Sequence, residues 1–319
     1  MTNQAKAYAA LAFICIAWGT TYLAIRLGVE HFPAFLYAAI RQVISGLIIL
    51  IIGWFMQKKA DLAIRNLLHQ ALIGFLLITM GNGLVTWAEK YIPSGVAALI
   101  CSLMPLIAVL INLMSAKKEK VNLLIFLGML SGFAGVGLIF RDDMASLGDP
   151  QYLLGMLAIL VATSSWALGS VINKNRPSLV NPVFNSGLQL LFGGLFLSII
   201  SPFADTYSNL DIFRPEVIWS LVYLIIFGSV LAYTAYMFAL KELPVGIVTL
   251  YAYVNPLVAV VLGYLILAEP VTWFTALAFV CIVGGVYLVN FGYRRQQRVK
   301  DRLDFGTNAM SASAVKPEE

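Results

Sequence analysis

The 319-residue chain predicts an all-α integral membrane protein with ten transmembrane helices arranged as two inverted five-helix repeats. Three observations carry this reading. Hydrophobic residues make up 60% of the chain and charged residues only 12%, about half the charge of a soluble domain, so there is too little polar surface to cover a water-facing globule. Apolar runs of about 20 residues, the length that crosses the hydrocarbon core, follow one another with short polar breaks. One unusual segment is also written twice: KYIPSGVAALICSLMPLIAVL at 90–110 returns as KELPVGIVTLYAYVNPLVAVV at 241–261.

The runs place spans at 7–27, 35–56, 70–88, 94–114, 121–140, 152–172, 181–201, 217–238, 245–267 and 271–292. No ten-residue alternation of the β-barrel kind appears. The first run lacks the basic start of a signal peptide, and WGTTYLAIRLG does not fit a small-residue cleavage site, so it reads as a helix. With the N-terminus inside, sixteen of the 21 Lys and Arg fall in inner segments, and four (Arg26, Lys90, Arg141, Arg214) lie toward the outside. That asymmetry puts both termini in the cytoplasm. It also gives the sequence pI near 9.0 a membrane explanation and argues against a nucleic-acid partner. Residues 294–319 are polar and rich in small residues, which predicts a disordered cytoplasmic tail.

The doubled segment matches at nine of 24 aligned positions between 87–110 and 238–261, including Pro93/Pro244, Gly95/Gly246 and Pro105/Pro256. At an offset of 148, Trp18 falls on Trp166, Gly46 on Gly194 and Arg41 on Gln189. The halves are 1–142 and 150–293. Five spans per half is odd, so the second half enters from the opposite side, an architecture of transporters with a site near the midplane. Pro105 and Pro256 sit within spans, where each removes a backbone hydrogen bond; they are hinge candidates or static kinks.

WGTTYLAIRLGVEHFPAFLYAAIRQVISGLIIL, the PSGVAAL…PL segment and LAEPVTWFTALAFVCIVGGVYLVN resemble, in order and spacing, bacterial EamA-domain proteins of the drug/metabolite transporter superfamily. The resemblance runs to about residue 293. It implies an inner-membrane permease, usually an exporter of amino acids or other small metabolites, with a central cavity. One departure is Ala268 before Glu269, where the family often has Gly-Glu.

The site candidates are polar or aromatic groups in mid-span. Trp18 and Trp166 lie near the middle of their spans, whereas Trp54, Trp87, Trp219 and Trp273 mark helix ends. Their indole N–H groups need partners, and the hydroxyls of Thr20, Thr21, Ser164 and Ser165 are near in sequence. Arg41 is the only charge well inside a span, about 9 Å from its outer end. It suits a substrate carboxylate, or else snorkels outward or pairs with Glu89. Glu89, the acidic group nearest the core, is a candidate carrier of a coupling proton; its place beside Lys90 at a helix end favours a rim ion pair. Asn82, Tyr233, Tyr251 and Asn255 complete the candidate set with Thr21; Tyr251 and Asn255 are four apart and share a helix face. Gly46, Gly132, Gly135, Gly137, Gly193, Gly194, Gly284 and Gly285 read as packing positions.

A membrane enzyme is disfavoured. The two histidines, His31 and His69, read as loop residues, and no HExxH, GxSxG or buried carboxylate pair occurs. Cys15, Cys101 and Cys281 have no metal-ligand spacing. No cofactor or metal is expected. The expected partners are a small-molecule substrate and the lipid bilayer, with a homodimer as an option. A nucleotide-sugar or sugar-phosphate exchanger is the alternative solute class, disfavoured by a single embedded cation; a non-transport membrane sensor is the alternative role.

Overall fold

The computed structural model describes residues 2–56, 62–104, 106–107, 110–111, 122–142, 148–175, 182–208, 210–243, 245–248 and 251–314. The described residues are helices joined by short turns. In chain order these are α1 (Asn3–Val29), α2 (Ala34–Met56), α3 (Ile64–Gly74), α4 (Leu84–Ala88), α5 (Ser94–Cys101), α6 (Leu123–Asp142), α7 (Pro150–Asn175) and α8 (Pro182–Ala204). They continue with α9 (Pro215–Tyr223), α10 (Ala232–Glu242), α11 (Val245–Val248), α12 (Tyr251–Leu267) and α13 (Trp273–Ala314). Among the described residues, seven helices are long and apolar enough to cross a membrane, and Leu123–Gly135 and Val254–Leu267 are shorter apolar helices.

Two of the long helices carry a wide turn at corresponding places. Phe75–Gly83, between α3 and α4, is a π segment, and so is Leu224–Leu231, between α9 and α10. A π turn bonds i to i+5, which leaves carbonyls out of the regular ladder. Partners for these carbonyls come from the first helix of the other half. Ser165 on α7 donates to the Leu76 carbonyl at 2.9 Å, and Trp18 on α1 donates through Nε1 to the Gly228 carbonyl at 2.9 Å. In keeping with this, α7 packs along the Phe75–Gly83 segment, α4 and α5, while α1 packs along α9, α10 and α12.

The most extensive pairings are α2 with α8 and α6 with α13. Small residues let these backbones meet. A Cβ at Gly46 would lie 2.6 Å from the Leu191 amide nitrogen, and one at Gly194 would lie 2.8 Å from the Val43 nitrogen. Gly285 opposes the Gly128 carbonyl at 2.5 Å in the same sense. The packing expectation is not met at Gly137 and Gly284, where an added Cβ meets nothing within 4 Å among the described residues. Two carboxylates between helices tie helix starts across the halves. Asp205 accepts from the Phe35 and Leu36 amides at 3.1 and 2.8 Å, and Glu269 accepts from the Ser94 amide and hydroxyl at 2.9 Å. Both sites satisfy backbone donors that a helix N-terminus leaves unpaired.

Two expectations change. His69 is not a loop residue but lies buried within α3. The tail expected to be disordered continues α13 as helix to Ala314; RRQQRVKDRLD is made mostly of good helix formers. Pro256 lies inside α12. Pro105, its repeat mate, lies outside the described residues.

Candidate functional site

A cavity of about 800 Å³, counting its mouth, lies between the two halves. All eight candidate residues line it: Trp18, Thr21, Arg41, Asn82, Trp166, Tyr233, Tyr251 and Asn255. Both π segments reach its wall, one through Gly81 and Asn82 and the other through Gly228 and Ser229.

One side of the cavity is aromatic. The rings of Trp18 and Trp166 meet edge to face at 5.6 Å between centroids, and Trp18 meets Tyr251 edge to face at 4.9 Å. Tyr236 joins at 5.1 Å from Trp18, and Tyr233 stands edge-on to Trp166 at 6.4 Å. Edge-to-face packing suits the ring quadrupoles. It joins helices from both halves, which is why the two mid-span tryptophans of the repeat end up side by side. The Trp18 N–H is satisfied by the Gly228 carbonyl and not by the neighbouring hydroxyls; Thr21 instead donates to the Trp18 carbonyl at 2.7 Å. Trp166 Nε1 is buried and makes no hydrogen bond of good geometry among the described residues.

Other lining residues are polar. Arg41, 3% exposed, donates from Nε to Ser229 Oγ at 2.9 Å. Its Nη1 is buried with no hydrogen-bond partner among the described residues. The guanidinium therefore neither snorkels nor pairs with a carboxylate. Gln42, the next residue, reaches the other π segment and donates to Asn82 Oδ1 at 2.8 Å. Adjacent residues of α2 thus hold one π segment each. Asn255, with its amide nitrogen turned toward two carbonyls, donates to Tyr251 O at 3.0 Å and Cys15 O at 2.9 Å. Tyr233 donates to Gln189 Oε1 at 2.7 Å, and Gln189 donates to Gln70 Oε1 at 2.6 Å. Gln189, the uncharged repeat mate of Arg41, does not line the cavity but anchors one of its walls.

Glu89 follows the Ile64–Ala88 span and corrects the rim-pair expectation. It is fully buried, and both carboxylate oxygens lack a hydrogen-bond partner among the described residues. The Arg26 guanidinium donates to the backbone carbonyl of Glu89. Desolvation pushes the Glu89 carboxyl well above the usual carboxylate range; Arg26 opposes this, Glu269 adds to it and Arg41 opposes it. Lys90, next in sequence, is not its ion partner: among the described residues the one ion pair is Arg214–Glu216. The main cavity residues that sequence reasoning missed are Gln42 and Ser229. Each is a polar side chain inside an apolar run, and that was the available signal.

This site can hold a small solute with an apolar body against the rings and an anionic or hydrogen-bonding head toward Arg41, Asn82 and Ser229. No group of three or more His, Cys, Asp or Glu that could hold a metal occurs among the described residues.

The comparisons agree with this architecture. The model of the EamA-like transporter family matches residues 5–141 and again 153–291. The chain is 35% identical over 290 residues to YedA of Escherichia coli K12, named an uncharacterized inner membrane transporter, covering 89% of this chain and 90% of that protein. It is 28% identical to the Bacillus subtilis transporter YvbV, over 90% of this chain and 92% of that one. A crystal structure covering 92% of this chain and 99% of its own superposes with a TM-score of 0.66 at 20% identity, a likeness of fold alone. The chain belongs to the EamA-like transporter family, and it is a membrane transporter.

Proposed function

We propose that the chain exports a small amphipathic metabolite carrying a carboxylate, such as an amino acid, across the bacterial inner membrane. The two five-helix halves, 1–142 and 150–293, form ten spans in inverted orientation with both termini cytoplasmic, and they rock to expose the cavity to each side in turn. Trp18, Trp166, Tyr233 and Tyr251 take the apolar body of the solute. Arg41 takes its carboxylate, oriented by Ser229; Asn82, Thr21 and Asn255 offer hydrogen bonds. Pro105 and Pro256 serve as the hinge pair. One observation carries the reading: a buried guanidinium whose Nη1 has no hydrogen-bond partner among the described residues lines the same cavity, built from both halves, as a cluster of aromatic rings.

The exchange of partners between halves, α1 with α9, α10 and α12 against α7 with α4 and α5, supports the inverted arrangement. Among the described residues Arg41 is the only Lys or Arg lining the cavity, which disfavours a phosphate ester that would want several cations.

The test is metabolite profiling of medium against cytoplasm in cells overexpressing the protein. Accumulation of one class of carboxylate outside, lost in W18A/W166A protein that still reaches the membrane, supports the reading. No solute moving in either direction, in cells or in loaded liposomes, overturns it.

A further inference from the structure

Glu89 is the only acidic residue among the described buried residues. The two other carboxylates at helix starts show what a structural carboxylate does in this protein. Asp205 accepts two backbone amides of α2, and Glu269 accepts donors from Ser94 and Gly95. Glu89 accepts none. An ionised carboxylate that is buried and unpaired costs several kcal/mol, and binding a proton removes that cost.

We propose that Glu89 is a proton-binding site whose loading and release are linked to the transport cycle; this rests on the transport reading above. The charged groups facing it are Arg26, Arg41 and Glu269, and each is committed elsewhere. Arg26 donates to the backbone carbonyls of Glu89 and Ile92, Arg41 donates to Ser229, and Glu269 caps α5. The other titratable groups that feel its charge are Tyr22, Tyr37 and Cys101. Tyr22 and Cys101 line the cavity, as does Val85 one turn before Glu89. Glu89 is thus one helical turn from a lining residue and within electrostatic reach of two others. A shift of α1 against α4 and α5 brings its carboxyl to water or to a guanidinium, and the proton then leaves one Oε for water.

The experiment uses the full chain in lipid vesicles. Difference infrared spectra between about pH 5 and about pH 9 report the carbonyl stretch of a protonated carboxylic acid. The expected result is a band that is present in the wild type, lost in E89Q, retained in E269Q and displaced in E89D, which guards against a folding defect. A band set in E89Q identical to that of the wild type overturns proton binding. Flux is then measured against pH with leucine and the solute found by profiling as probes. The proposal expects pH dependence in the wild type and its loss in E89Q. Flux in the wild type that does not change with pH overturns the link to transport. If no protein moves any solute, the transport reading fails, while the infrared band still decides whether Glu89 binds a proton.

Discussion

Replacing Arg41 by methionine separates its stability cost from its function. The wild-type guanidinium is buried, makes one hydrogen bond to Ser229 and leaves Nη1 unpaired. A desolvated, poorly paired charge does not stabilise a fold, and apolar replacement of buried charges is often neutral or stabilising by about 1–4 kcal/mol. R41M is therefore expected to keep or raise the thermal midpoint in detergent. Binding goes the other way. A hydrogen bond between Arg41 and a solute carboxylate is charge-assisted and worth about 1.5–3 kcal/mol. At about 1.4 kcal/mol per decade, its loss raises the half-saturation concentration by about 10- to 150-fold. R41K keeps the charge but loses the planar fork and the Nε anchor, so it falls between the two. The assay is counterflow in proteoliposomes beside a thermal-shift series on the same preparations. Unchanged half-saturation in R41M refutes the ligand role. A drop in midpoint that tracks the loss of flux refutes the division between stability and function.

Other outcomes follow from the same geometry. W18F removes the donor that serves the Gly228 carbonyl and should cost about 1–3 kcal/mol, read as a lowered thermal midpoint with secondary structure intact. G46V drives a side chain toward the Leu191 amide, where even a Cβ would sit 2.6 Å away; poor membrane yield is expected, whereas G284A, facing open space, should match the wild type. For Glu89, the folded state holds a proton that the unfolded chain releases near about pH 4.3. Stability should therefore be greatest in acid and fall as pH rises toward the raised folded value, by up to about 1.4 kcal/mol per pH unit. E89Q should flatten the thermal midpoint against pH over that window.

The cavity residues were legible because a polar or aromatic group in the middle of a 20-residue apolar run has few bland explanations. Trp18, Arg41, Asn82 and Asn255 stand out for that reason. The repeat aligned Trp18 with Trp166 before any contact between them was visible. The π segments were not legible: a wide turn has no fixed residue pattern, and Gly81-Asn82-Gly83 marked only the end of one. Their consequence, the Gly228 carbonyl as partner of Trp18, was hidden with them. Glu89 was misread because a carboxylate beside a lysine at a helix end looks solvated in sequence; its burial comes from helices distant in the chain. Gln42 was overlooked next to a charge, although the pair together fastens α2 to both π segments.

Export by the proposed route requires solute to occupy the cavity between the halves. The chain carries its own reporter, because Cys101 lines that cavity while Cys15 and Cys281 do not. In a C15S/C281S background, the rate of Cys101 alkylation by a small membrane-permeant maleimide should fall about tenfold when the exported solute is present at about ten times its dissociation constant. An alkylation rate unchanged by saturating solute would contradict the account.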